Sequence, residues 1–186
     1  MKKLLHFARK VDRINDRIGR FLMWLCLFMV VIASFNALMR YTSRFTGIDL
    51  TSNALMELQW YAFSAVFLLG AGYGLRHRAH VQVDVLFNRF SERTQAWIYI
   101  VGTVAFLIPF CIFMTILSIP TIVNSWSVLE MSPDPGGLPR FPIKTLLPIS
   151  FLLLLLQGVS FLIENIARLR GEYHLREEEQ AVEKAI

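Results

Sequence analysis

Residues 56–85 read MELQWYAFSAVFLLGAGYGLRHRAHVQVDV, and the fold turns on how this stretch divides. Glu57 opens it, followed by the aromatic pair Trp60 and Tyr61. From Ala62 to Leu75 there is no charge and there are three glycines, Gly70, Gly72 and Gly74. Counted from Leu58 to Leu75, the uncharged part is about 18 residues, or ~27 Å at helical rise, which suffices to cross a bilayer. It then breaks into Arg76, His77, Arg78 and His80, a basic cluster that anchors a helix end at the cytoplasmic surface. Gly70 and Gly74 have the small-xxx-small spacing that permits close helix packing, with plain flexibility as the other reading.

Working outward, the same pattern recurs three times. Spans are expected at about 21–39, 58–75, 96–119 and 143–163. Of the 186 residues 55% are hydrophobic and 18% charged, and the charges lie outside the apolar runs, so a bilayer protein is expected. The net charge of +5 invites a nucleic-acid reading, but the basic residues flank apolar runs and form no continuous groove. Cys26 and Cys111 sit inside apolar runs with no ligand-spaced neighbour, and read as buried or lipid-facing residues.

Residues 1–20 are basic and amphipathic. Leu4, Leu5, Phe7, Val11, Ile14 and Ile18 recur at helical steps. The segment either lies on the anionic leaflet or extends the first span upstream. No small-residue cleavage site follows the first apolar run, which is read as an uncleaved signal anchor. Asn36 interrupts that run near its end, facing water or another helix, and Arg40 and Tyr41 close it. The loop at 76–95 alternates Val81, Val83 and Val85 with polar residues, or begins a short interfacial helix from Val85. Ser91, with Thr94 and Gln95, is a helix start before the third span. Pro109 and Pro120 kink that span. Residues 133–142 hold four prolines and two glycines, so they form an ordered turn-rich loop or one that docks onto something. Pro148 falls where a helix tolerates it, and Gln157, within the fourth apolar run, is expected to face another helix. The charged tail, 167–186, is a water-exposed helix or disordered.

Lys and Arg number seven in the N-terminal segment, four in the 76–95 loop and four in the tail, against two in each of the other connections. That asymmetry predicts an all-α protein of four transmembrane helices with both ends cytoplasmic. Chemistry is sparse. His6, His77, His80 and His174 lie outside the spans, and no phosphate loop, nucleophile elbow or zinc motif is present. Glu57, Glu130 and Glu164, each near a span boundary, are the sole acids expected close to hydrocarbon. No catalytic residue, metal or cofactor is therefore expected, and an accessory subunit is favoured over an independent small carrier or channel, or a membrane redox subunit.

An ordered set of motifs resembles a known family. It comprises Asn36 with Met39-Arg40-Tyr41, Glu57-Leu58 with Trp60-Tyr61, and Leu68-Leu69-Gly70-Ala71 with Leu75-Arg76. It continues with His80-Val81, Val83-Asp84-Val85, Ser91-Glu92-Arg93, and Ser125 with Glu130 and Ser132. Gly136-Gly137-Leu138-Pro139-Arg140-Phe141-Pro142, Lys144, Pro148 and Leu155-Leu156-Gln157-Gly158 complete it. From about Val11 to Ile166 the chain resembles the small, DctQ-like membrane subunit of TRAP (tripartite ATP-independent periplasmic) transporters, with Phe141 where a tryptophan is often seen. The resemblance implies a large multi-span membrane subunit and a periplasmic substrate-binding protein as partners, in a bacterial inner membrane. It also implies sodium-coupled uptake of an organic acid, with this subunit bracing the large one. Partner-interface candidates on this basis are Arg40, Glu57, Trp60, Arg76, His80, Asp84, Glu130, Gly136, Gly137, Pro139, Arg140 and Gln157. Arg40 and Glu57 are expected to pair across the first outer connection. Glu130 and the 136–142 loop would face the binding protein, and Arg76, His80 and Asp84 the inner headgroups and the large subunit.

Overall fold

A computed structural model describes residues 2–48, 51–79, 87 and 89–171. They form α1 (Lys2–Thr46), α2 (Asn53–Arg76), α3 (Glu92–Gly102), a π-helical turn (Thr103–Leu107), α4 (Ile108–Ser127), α5 (Phe141–Lys144) and α6 (Leu146–Leu169). Among the described residues the sole β feature is one isolated antiparallel bridge, Met131 to Pro139. Among the described residues, four helical stretches are long and apolar enough to cross a membrane: Lys3–Thr46, Asn53–Arg76, Glu92–Ser127 and Phe141–Leu169. Each apolar run seen in the sequence lies within one of them.

α1 is a single helix of 45 residues. The basic segment is thus helically continuous with the first apolar run, the second of the two readings. At 1.5 Å per residue α1 is about 68 Å long, more than twice a ~30 Å hydrocarbon core. Ser91 caps α3: its hydroxyl accepts the Thr94 backbone N–H, satisfying an amide that the first turn leaves unpaired. The π turn lies directly before Pro109. A proline ring clashes with the carbonyl four residues back, here that of Ala105. Widening the preceding turn relieves the clash, and the Ile108 N–H bonds to Thr103 five residues away. Pro120 lies inside α4, which is helical through to Ser127.

The chain divides into two compact units. The first comprises Met1–Asp16, Gly72–Phe113 and Leu152–Ile186; the second comprises Arg17–Ala71 and Met114–Phe151. In the first, Leu5 and Ala8 of α1 pack on Ile163 and Ala167 of α6, with Val159 beside them. The buried stripe continues through Val11, Asp12 and Asn15, while Leu4, Phe7 and Ile14 are exposed. This corrects the expected amphipathic face, which had grouped all the apolar residues. The polar side chains of the stripe are buried because they find hydrogen-bond partners on α6. In the second unit Leu22, Ile32 and Ala62 are buried. Gly70 packs beside Leu22, whose Cδ1 would be 3.6 Å from an added Cβ.

Candidate functional site

In the first unit, Asp12 and Asn15 stand one helical turn apart on α1, and Gln157 and Ser160 one turn apart on α6. All four are at most 2% exposed. The Gln157 amide donates to Asp12 Oδ1 at 3.0 Å, and its oxygen accepts from Asn15 Nδ2 at 2.7 Å. Ser160 Oγ donates to the same Asp12 oxygen at 2.9 Å. Arg76, at the end of α2, places Nη2 2.8 Å from Asp16 Oδ2 and Nη1 3.9 Å from Asp12 Oδ2. His77 Nε2 lies 3.1 Å from Asp16 Oδ1, and its ring packs on Tyr73 at 4.3 Å. A buried carboxylate is tolerable only when paired and hydrogen-bonded, and this one is both.

Gly72 lets α2 approach that network. A Cβ there would lie 2.5 Å from Asn15 Oδ1. The close approach therefore falls at Gly72, between the two glycines that the small-xxx-small spacing singled out. A Cβ at Gly74 would meet nothing within 4 Å.

In the second unit, a carboxylate on α2 holds the loop at 128–140. Glu57 accepts from the Ser132 hydroxyl and from the Leu138 backbone N–H. Tyr61, one turn on, donates its hydroxyl to the Pro139 carbonyl at 3.0 Å, and Asn53 Nδ2 donates to the Pro135 carbonyl at 3.0 Å. Gly136 has φ +71°, a left-handed turn conformation that glycine adopts without strain. At Gly137 a Cβ would lie 2.5 Å from the Ser132 Cβ and 2.8 Å from a Glu57 oxygen. The two glycines thus let the loop turn and close onto α2.

The same loop is tied at its other side by Glu130, which accepts from Lys144 Nζ and from Ser125 Oγ. The Lys144 ammonium, then the Ser125 hydroxyl, hold the Glu130 carboxyl below its usual value. Trp126 donates to Thr145 Oγ1 at 3.0 Å and meets the Phe141 ring at 4.6 Å. Phe141 therefore packs here as an aromatic.

The expected Arg40–Glu57 pair does not form. Both Glu57 oxygens are taken by the loop, and Arg40 Nη2 meets the Met56 sulfur at 3.8 Å. Trp60 is exposed, and Arg140 is half-buried, with its backbone N–H donating to the Glu130 carbonyl. Arg76 and Gln157 direct their polar groups at this chain's own Asp16, Asp12 and Asn15. His80 and Asp84 lie outside the described residues. The sequence reading missed Asp12, Asn15, Ser160 and Tyr61. A signal was present: Leu5, Ala8, Asp12, Asn15, Gly19 and Leu22 form a stripe at helical spacing through small and polar residues. Among the described residues, no group of three His, Cys, Asp or Glu could hold a metal ion, and both cysteines are free.

Four membrane-length helices, with polar side chains turned onto one another and an apolar exterior, define a multi-pass helical membrane protein. Against protein families, residues 29–168 match the DctQ component of tripartite ATP-independent periplasmic transporters. The match covers most of the chain, and this protein belongs to that family, a family of transporter components and not of enzymes. No curated protein and no solved structure matches the chain significantly.

Proposed function

We propose that this chain is the small permease subunit that braces the large multi-span subunit of a TRAP transporter. The uptake so served is sodium-coupled and carries an organic acid delivered by a periplasmic binding protein, across a bacterial inner membrane. Membership of the DctQ family supports the reading. The observation that carries the bracing role is how the acids are used. Asp12, Glu57 and Glu130 each bind groups of this chain and fasten helix to helix or loop to helix. Meanwhile Phe21, Trp24, Phe67, Phe106 and Phe113 stand outward. A scaffold needs fixed internal joints and a greasy exterior; a carrier needs an ionisable group free to change partner.

On this reading the basic N-terminal segment and the end of α2 face the cytoplasm, following the bias of positive charge. The 128–140 loop then faces the periplasm, where the binding protein arrives. Tagged full-length chain, extracted from its native membrane in mild detergent, is expected to bring down a large polytopic membrane protein in fixed ratio. Recovery of the chain alone, or as a homo-oligomer, would count against the proposal and favour an independent carrier.

A further inference from the structure

Between α1 and α2 of the second unit lies a groove that neither polar cluster uses. Its wider part, of about 490 Å³, is bordered by Asn36, Arg40, Tyr41, Arg44 and Trp60. Through Ala33, Gln59 and Trp60 it continues into a smaller, shallower cleft of about 340 Å³ reaching Met29, Val30 and Phe63. One end is thus cationic and the other apolar. Among the described residues neither guanidinium meets a carboxylate, and the hydrogen bond of Arg40 goes to a thioether. Asn36, one turn deeper, lines the groove and is 7% exposed.

We infer that this groove binds one anionic phospholipid. Arg40 and Arg44 hold its phosphate, Asn36 bonds the ester region below, and one acyl chain lies along the cleft past Ala33 towards Met29 and Phe63. The dimensions agree. From Arg40 down to Met29 the helix spans about 16 Å, against the ~15 Å of one leaflet's hydrocarbon. Tyr41 borders the headgroup end, the depth at which such rings settle. Two guanidiniums facing one phosphate leave a positive excess, which selects a lipid of net negative charge over a zwitterionic one. Inorganic phosphate could satisfy the arginines but would leave the apolar cleft unfilled. An acidic partner segment is the rival occupant.

Native mass spectrometry on the delipidated full chain in detergent tests this, with phosphatidylglycerol, phosphatidylcholine and inorganic phosphate as probes. One tightly held phosphatidylglycerol is expected, in preference to phosphatidylcholine and not displaced by millimolar phosphate. Arg40→Gln with Arg44→Gln should lower its retention at least about tenfold, the effect of losing charge-assisted hydrogen bonds. Ala33→Phe, which fills the cleft at an exposed position without changing charge, should do the same, with helicity by circular dichroism unchanged. Retention unaltered in either variant, equal binding of both lipids, or displacement by phosphate would overturn the inference. So would crosslinks from Ala37→Cys to a co-purified protein in place of lipid.

Discussion

At the scale of single residues, a few buried polar contacts join α1 to α6. Gln157 serves both Asp12 and Asn15, so Gln157→Leu leaves a buried acceptor and a buried donor short of a partner. We expect a loss of about 1–3 kcal/mol, read as a lower midpoint of unfolding in detergent. Gly72→Ala should cost a similar ~1–3 kcal/mol, because the new methyl would overlap the Asn15 amide. Gly74→Ala, two residues on and open to space, is the control and should be close to neutral. Equal effects at the two glycines would mean that flexibility, and not fit, is what they supply. Gln157 was legible as a residue facing another helix, because an amide within an apolar run must find a partner. Asp12 was not, since in a segment rich in lysine and arginine an acid reads as part of a solvated face. Only its partners on α6, more than 140 positions away, reveal that it is buried.

At the scale of elements, the informative parts are the third helical stretch and the 128–140 loop. Ser91 was readable as a cap because capping is local chemistry, and Ser91→Ala should cost about 1 kcal/mol of α3 stability, seen as faster amide exchange in its first turn. The π turn before Pro109 was read only as a kink. Proline predicts that the ladder must yield, without saying whether by bending or by widening. The loop was legible as ordered from its prolines and glycines, but its anchor on Glu57 was not, because that contact joins residues 75 and 81 positions apart. The same gap explains the Arg40–Glu57 error: opposite charges at the ends of a short connection invited pairing, yet backbone and hydroxyl donors of a distant loop took the carboxylate first.

Acid should loosen the loop. Since the Glu130 carboxyl sits below 4.5 when folded, its contribution is complete above that value and is lost as pH falls through the lower, folded value. The emission of Trp126, isolated by subtracting the Trp126→Phe variant, should hold steady from neutral pH to about 4.5 and shift below it. Glu130→Gln should diminish the transition, leaving only the part that arises at Glu57, the loop's other carboxylate anchor. A shift between pH 5 and 7 would assign it to another group.

At the scale of the whole molecule, four apolar runs and the placement of positive charge were enough to indicate a helical membrane protein. What sequence could not supply was the destination of the polar side chains, which depends on helix pairing. That destination carries the functional reading: acids that serve as joints beneath an apolar exterior. Charge reversal at the exposed Arg170 should leave assembly intact, whereas Asp12→Lys should disrupt it. Co-purification yield against the wild type is the measure.

On the proposed function, this chain supports transport without performing it. Purified chain alone in sealed vesicles, under an inward sodium gradient, should take up none of the organic acids presented with their binding protein. Vesicles that also hold the large subunit should accumulate the substrate. Gradient-driven uptake by the chain on its own would contradict the account.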